Sequence, residues 1–396
     1  MKYPTYKLGD ICELLNGFAF KSSNYVQSGL RVIRITNVKK GYVIDEEPQF
    51  YPLETQEELK KYILKKGDLL ISLTGNVGRV GILSEDLLPA ALNQRVGCLR
   101  VKDKSLVSLQ YLFHLLNTNS FEKDCINSSK GIAQRNMSTE WLKEYEITLP
   151  PLPTQHAIVT RIETLFAELD KAVQHLRTAQ QQLKTYRQAV LNHWLNNDDG
   201  KWEMVKLGEV AEMCLGKMLD KNKNKGTYQP YLRNVNIRWG GFDLDDLLEM
   251  KFEESEQDRY GIRKGDLIMC EGGEPGRCAI WNSDIPNMKI QKALHRIRLN
   301  DNVLNKYVYF LFVLYAQNGV LGKYFTGTTI KHLTGQSLKS VEIPLPPLAE
   351  QQRIVKEIES RLSQATASET YIENALQQAE ALRQSILKKA FSGELV

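Results

Sequence analysis

Histidine and cysteine carry most metal and nucleophile chemistry, so their spacing is the first thing to read. His114, His156, His175, His193, His295 and His332 show no H-E-x-x-H pattern and no paired ligand spacing. Cys12, Cys98, Cys125, Cys214, Cys270 and Cys278 never fall as C-x-x-C. They read as reduced thiols of a cytoplasmic protein, because a chain this long can build a core without staples. Glycine-rich loops could cradle phosphates, but neither G-x-x-x-x-G-K-[ST] nor G-x-G-x-x-G occurs. Gly75 to Gly81 and Gly272 to Arg277 are glycine-rich and fit neither pattern. No [DN]-P-P-[YF] tetrapeptide is present, so the loop that clamps a base in DNA amino-methyltransferases is missing. Ser/His/Asp and Cys/His sets are spatial and escape a linear search. The expectation is a chain with no catalytic centre, no metal and no cofactor of its own.

The elements that would position any site come next. The chain has 396 residues, about right for two domains of roughly 150 residues plus connections. Its 42% hydrophobic and 25% charged content is that of a globular protein. No apolar targeting run stands near Met1. The longest apolar stretch, Tyr307 to Ala316, is half of the roughly 20 residues a membrane span needs, and reads as a buried helix. The formal net charge of +5 sits in two blocks. Residues 1–150 carry 20 Lys+Arg against 17 Asp+Glu, and residues 201–347 carry 21 against 18, so each is +3. Such a distribution permits nucleic-acid binding without demonstrating it.

The chain is written twice. Lys7-Leu8-Gly9-Asp10 returns as Lys206-Leu207-Gly208-Glu209, and Lys66-Gly67-Asp68-Leu69 as Lys264-Gly265-Asp266-Leu267. Gly78-Arg79 returns as Gly276-Arg277, and Pro150-Pro151-Leu152 as Pro346-Pro347-Leu348. The order is kept while the offset drifts only from 199 to 196. The first part of each copy is strand-rich, with β-branched runs such as Leu30 to Ile35 and Leu69 to Leu73 between Gly, Asp and Asn breakers. A helix is expected late in each, near Leu109–Leu116 and Lys306–Tyr315.

The second part of each copy is a long helix after a proline hinge. Over 155–195 it would span roughly 60 Å at ~1.5 Å per residue. Thr154 is a candidate cap, and Glu350 sits where the helix dipole favours negative charge. Ile162, Leu169, Leu176, Leu183 and Val190 recur every seven residues, with Leu165, Ala172, Ala179 and Tyr186 three later. Ile358, Ala365, Ile372, Ala379 and Ile386 repeat the first seam at offset 196. The pattern predicts helix-on-helix coiled-coil packing; the alternative is two amphipathic helices packed on their own domains.

The doubled set resembles the specificity subunits of type I restriction-modification systems over nearly the whole chain. The carriers are the K-L-G-[DE] openings, the K-G-D-L turns, and the joints Leu149 to Gln155 and Ile343 to Gln352. The ending Leu387 to Val396 adds to them. The resemblance implies an α+β fold: two similar target recognition domains separated by a pair of long antiparallel coiled-coil helices, a pseudo-twofold repeat. It implies recognition domains at 1–150 and 201–347 and conserved spacer helices at 151–200 and 348–396. It implies that each domain reads one half of an asymmetric bipartite site in double-stranded DNA. Two methyltransferase (modification) subunits carrying S-adenosylmethionine would dock on the helices, and restriction (motor-nuclease) subunits would join them. The copies depart at Thr154 against Glu350, and the first helix ends in Asn196 to Gly200 rather than in a copy of the C-terminal tail. A protein-binding coiled-coil scaffold and a single-chain DNA-modifying enzyme are the competing readings.

Base edges are read by Arg, Lys, Asn, Gln and acidic side chains, and phosphates by Arg, Lys and backbone amides. In the first domain the candidates are Arg34, Asn37, Asn76, Arg79, Asn93, Gln94, Arg95, Lys130, Gln134, Arg135 and Asn136. In the second they are Arg233, Asn234, Asn236, Arg238, Arg277, Gln291, Lys292, Thr328, Lys331 and His332. Arg135 and Lys331 match at offset 196. A basic residue kept in both copies suits a phosphate contact, whereas residues that differ suit base readout. Arg79 and Arg277 could instead bridge to carboxylates of their own domains.

Overall fold

A computed structural model describes residues 3–131, 135–197, 200–220 and 222–395. Contacts divide the chain into two units, residues 1–176 with 374–396, and residues 177–373. Each unit combines one strand-rich domain with part of each long helix.

In the first unit, strands Cys12–Asn16, Val96–Val101, Leu69–Ser72 and Val80–Ile82 form an antiparallel sheet in that order. Leu69–Ser72 is buried at every residue, which is why it reads as a continuous apolar run rather than an alternation. A second sheet places Leu30–Ile33 between Phe50–Tyr51, antiparallel, and Ala90–Leu92, parallel. Thr5–Lys7 pairs with Glu146–Thr148, bringing the two ends of the domain together. The second unit repeats this plan. Ala211–Leu215, Leu294–Leu299, Leu267–Cys270 and Cys278–Ile280 form its antiparallel sheet. Leu248–Phe252, Thr227–Leu232 and Lys289–Ile290 form the mixed one. The helices expected late in each domain span Leu109–Leu116 and Asn305–Gln317, the latter burying Tyr307, Val308, Phe310, Leu311, Phe312 and Leu314.

The repeated motifs are structural. In K-L-G-[DE], Leu8 and Leu207 are fully buried, and a Cβ on Gly208 would lie 2.9 Å from the Lys339 side chain. In K-G-D-L, Gly67 and Gly265 take φ of +84° and +92°, a conformation that favours glycine. The following carboxylates, Asp68 and Asp266, are buried and paired. Arg100 grips Asp68 with two hydrogen bonds of 2.8 and 2.7 Å, and Arg298 grips Asp266 at the same two distances. These bidentate bonds hold both guanidinium pKa values above their usual range.

The long helices span Leu152–Leu195 and Leu348–Phe391. The first starts three residues ahead of the expected 155, so Thr154 lies inside the helix and does not cap it. Pro153 fits there because first-turn amides need no intrahelical acceptor. One residue later in each joint a buried glutamine pins the helix to its domain. Gln155 Nε2 donates to Leu106 O and Pro150 O, both at 2.9 Å, and its Oε1 accepts from Ser108 N at 2.8 Å. Gln351 makes the matching bonds to Asn302 O, Pro346 O and Leu304 N at 3.0, 2.9 and 2.8 Å.

The seam is where the heptad places it. Ile162, Val190, Ile358, Ala365, Ile372, Ala379 and Ile386 are buried, and Leu169, Leu176 and Leu183 are half-buried. The accompanying row meets expectation only in part: Leu165 and Ala179 are half-buried but Ala172 and Tyr186 are exposed, whereas the positions four after the seam, Phe166, Val173, Gln180 and Arg187, are all half-buried. Apolar identity misplaced this row because arginines occupy part of it. In the first unit Arg383 lies 4.2 Å over the Phe166 ring and pairs with Asp170. In the second, Arg187 reaches Glu369 and Thr366, each at 2.9 Å. Their alkyl stems cover the seam while the charged heads find partners at its rim. Within each unit the two helix segments run antiparallel. Residues 158 and 162 share a core with 387 and 390 while 170 meets 383, and 187 meets 369 while 194 meets 353 and 361.

Candidate nucleic-acid interface

The polar candidates converge at one end of each four-stranded sheet. In the first domain Leu73 N donates to Arg95 O at 3.0 Å, Gly75 N to Arg135 O at 2.8 Å, and Asn93 N to Ile33 O at 3.1 Å. Four segments distant in sequence therefore meet: the turn after Ile33, the loop 73–79, the turn 93–95 and the hairpin closed by Lys130 and Asn136. In the second domain Asn234 Nδ2 donates to Gly272 O at 2.9 Å, Leu333 N to Glu271 O at 2.7 Å, and Glu271 N to Ala293 O at 2.8 Å. The same four loops meet again, the last being a hairpin closed by Thr326 and His332. His295 supports it from below: its Nε2 donates to Leu333 O at 2.9 Å, and burial pushes its pKa down, keeping the ring neutral.

Within these clusters Asn76, Gln94, Arg95, Lys130, Arg135 and Asn136 are exposed in the first domain, and Arg34, Arg79 and Asn93 are half-buried. In the second, Arg238, Lys292, Thr328, Lys331 and His332 are exposed, and Arg233, Asn234, Arg277 and Gln291 are half-buried. Gln134 lies outside the described residues. Two candidates leave the interface. Asn37 and Asn236 are each 2% exposed. Asn37 Oδ1 accepts from Arg34 N and its Nδ2 donates to Ile44 O, both at 2.9 Å. Asn236 does the same with Arg233 N and Asp243 O. Both lock a turn, and neither side chain has surface left to offer a base edge.

Several arginines already have carboxylate partners. Arg233 meets Asp246 at 2.7 Å, Arg238 meets Asp243 at 3.0 Å, and Arg277 meets Glu274 at 2.7 Å. For Arg277 the bridge within its own domain is the observed state. Such pairs are partly exposed and weak, so an incoming phosphate can exchange with the carboxylate. Two apolar side chains stand among the polar loops of the second domain, Val235 and Ile330, at 56% and 66% exposure. A search limited to polar residue types passes over them.

Among the described residues no group of three or more His, Cys, Asp or Glu is arranged to hold a metal ion. The six cysteines are free thiols, and burial pushes that of Cys12 up to about 12. No helix among the described residues is long and apolar enough to cross a membrane. What the two clusters offer chemically is hydrogen-bond donors, acceptors and positive charge on rigid sheet ends, the equipment of recognition.

Comparison with known proteins agrees with this geometry. The family model described as "Type I restriction modification DNA specificity domain" matches twice, over residues 2–176 and 199–378. The EcoKI specificity subunit of Escherichia coli K12 is 26% identical, across 97% of this chain and 87% of its own length. The EcoBI specificity subunit of Escherichia coli is 28% identical, across 98% and 85%. Among solved structures, a chain from a study of the assembly and conformational transition of the type I R-M system superposes with a TM-score of 0.75. It is 19% identical, with both chains fully covered. The HsdS subunit from Thermoanaerobacter tengcongensis gives 0.61 at 19% identity, over 99% of this chain and 97% of its own. At these identities the superpositions speak for the fold.

Proposed function

Because the chain belongs to the type I restriction modification DNA specificity family, we propose that it reads DNA sequence for such a complex and catalyses nothing itself. Residues 1–150 read one half of an asymmetric bipartite site and residues 201–347 the other. Two methyltransferase subunits, which bind S-adenosylmethionine, dock on the long helices, and restriction subunits with motor and nuclease activity complete the assembly in the cytoplasm. One observation carries the reading: the same four-loop cluster is built twice on the same sheet end, with basic residues shared at Arg34 and Arg233, Arg79 and Arg277, and Arg135 and Lys331, and most of the remaining polar positions changed. Shared charge suits the uniform phosphate backbone, and changed side chains suit two different half-sites.

The test is methyl transfer from labelled S-adenosylmethionine to DNA, followed by mapping of the modified sites. The chain alone should transfer nothing. Combined with its methyltransferase partner it should direct modification to one bipartite sequence. Transfer by the isolated chain, or a site pattern unchanged when the chain is omitted, overturns the reading.

A further inference from the structure

Two branched apolar side chains stand exposed on loops of the second recognition domain. Val235 sits in the turn Asn234–Asn236, and Ile330 at the tip of the hairpin closed by Thr326 and His332. Both are more than half exposed. A single apolar residue on a surface is ordinary. These two stand on neighbouring loops that rest on the same support. Asn234 Nδ2 donates to Gly272 O, and a Cβ on Gly272 would lie 3.0 Å from His332 Nδ1. Lys331, His332 and Lys292, on the same loop cluster, are exposed basic and polar side chains. In the first domain the matching positions are Thr36 at offset 199, which is exposed, and Gln134 at offset 196, which lies outside the described residues. At these two positions the second copy carries branched hydrocarbon where the first copy carries polar residues.

Only one base presents an apolar group in the major groove: thymine, through its C5-methyl. We propose that Val235 and Ile330 contact thymine methyl groups, so that the second domain reads its half-site partly by apolar contact. The inference rests on the DNA-reading function proposed above.

The probe is uracil, which pairs as thymine does and lacks the methyl. Once the bipartite sequence is mapped, thymines in each half-site are replaced by uracil separately. Binding is then measured for the complex of the full chain with its methyltransferase partner. Replacement in the half read by residues 201–347 should weaken binding about fourfold per contacted methyl, the equivalent of one buried methylene. Val235→Ser with Ile330→Ser should abolish that sensitivity and leave binding to the other half unaltered. Both positions are exposed, so the variants keep the fold. Selective binding that is indifferent to uracil, equal sensitivity in wild type and variant, or a second half-site without A·T pairs overturns this inference alone. A complex that binds every duplex alike overturns the parent reading.

Discussion

Arg135 and Lys331 occupy matched positions on the two hairpins, and both side chains are exposed. Neighbouring arginines such as Arg233 and Arg277 sit against carboxylates, so their charge is partly spent inside the protein. Each phosphate neutralised on duplex DNA steepens the fall of log K with log salt by about 0.9. Arg135→Ala should therefore weaken binding of the assembled complex to all sequences and reduce the salt slope by about 0.9. Affinity titrations between low and physiological salt read this directly, and an unaltered slope takes Arg135 off the phosphate backbone. Sequence reading places both on exposed loops because loops flanking repeated strands can be found from the repeat itself. It erred at Asn37 and Asn236, since an asparagine that locks a turn and one that reads a base edge have the same letter. Only burial separates them. It passed over the exposed Val235 and Ile330 because a search for polar residue types does not register hydrocarbon.

At the scale of elements, strand positions and the heptad period were legible because they depend on local patterning. The helix start and the inward row were not. Pro153 reads as part of the hinge before the helix yet is tolerated in a first turn, and Arg187 and Arg383 take inward positions through ion pairs that sequence cannot place. One such contact titrates. His114 lies on the helix Leu109–Leu116, against Phe113 and Phe166, and burial, reinforced by Arg383, pushes its pKa down to about 4. Glu163 stands 3.8 Å from its Nε2, too far and too exposed to outweigh burial, so the ring is neutral. An unfolded histidine protonates near 6.5, so the unfolded chain binds the extra proton first as pH falls. Stability should be complete above about 6.5 and decline as pH drops towards about 4. The total loss from this group is up to about 3 kcal/mol. At offset 196 the second domain carries Phe310. His114→Phe should remove this share of the acid sensitivity. Denaturant midpoints of both proteins across pH 4 to 7 would show it, and parallel curves would mean that the ring is not held neutral.

At the scale of the whole molecule, sequence and structure agree on a chain that states one architecture twice. The joints are built so that the domains should be exchangeable. Gln155 and Gln351 make three matching hydrogen bonds each, all to backbone atoms, so the lock between helix and domain does not depend on which side chains the domain carries. The sheet ends that carry the loops are likewise held by main-chain bonds. A recognition domain from another family member should then seat on these helices without repacking them. Replacing residues 1–150 by such a domain should change one half of the methylated sequence and leave the other half, and the spacing between them, as they were. Mapping modified sites in cells that express the exchanged chain with its methyltransferase partner tests this. A change in both halves would mean that the domains read DNA jointly. A change in neither would place the reading outside residues 1–150.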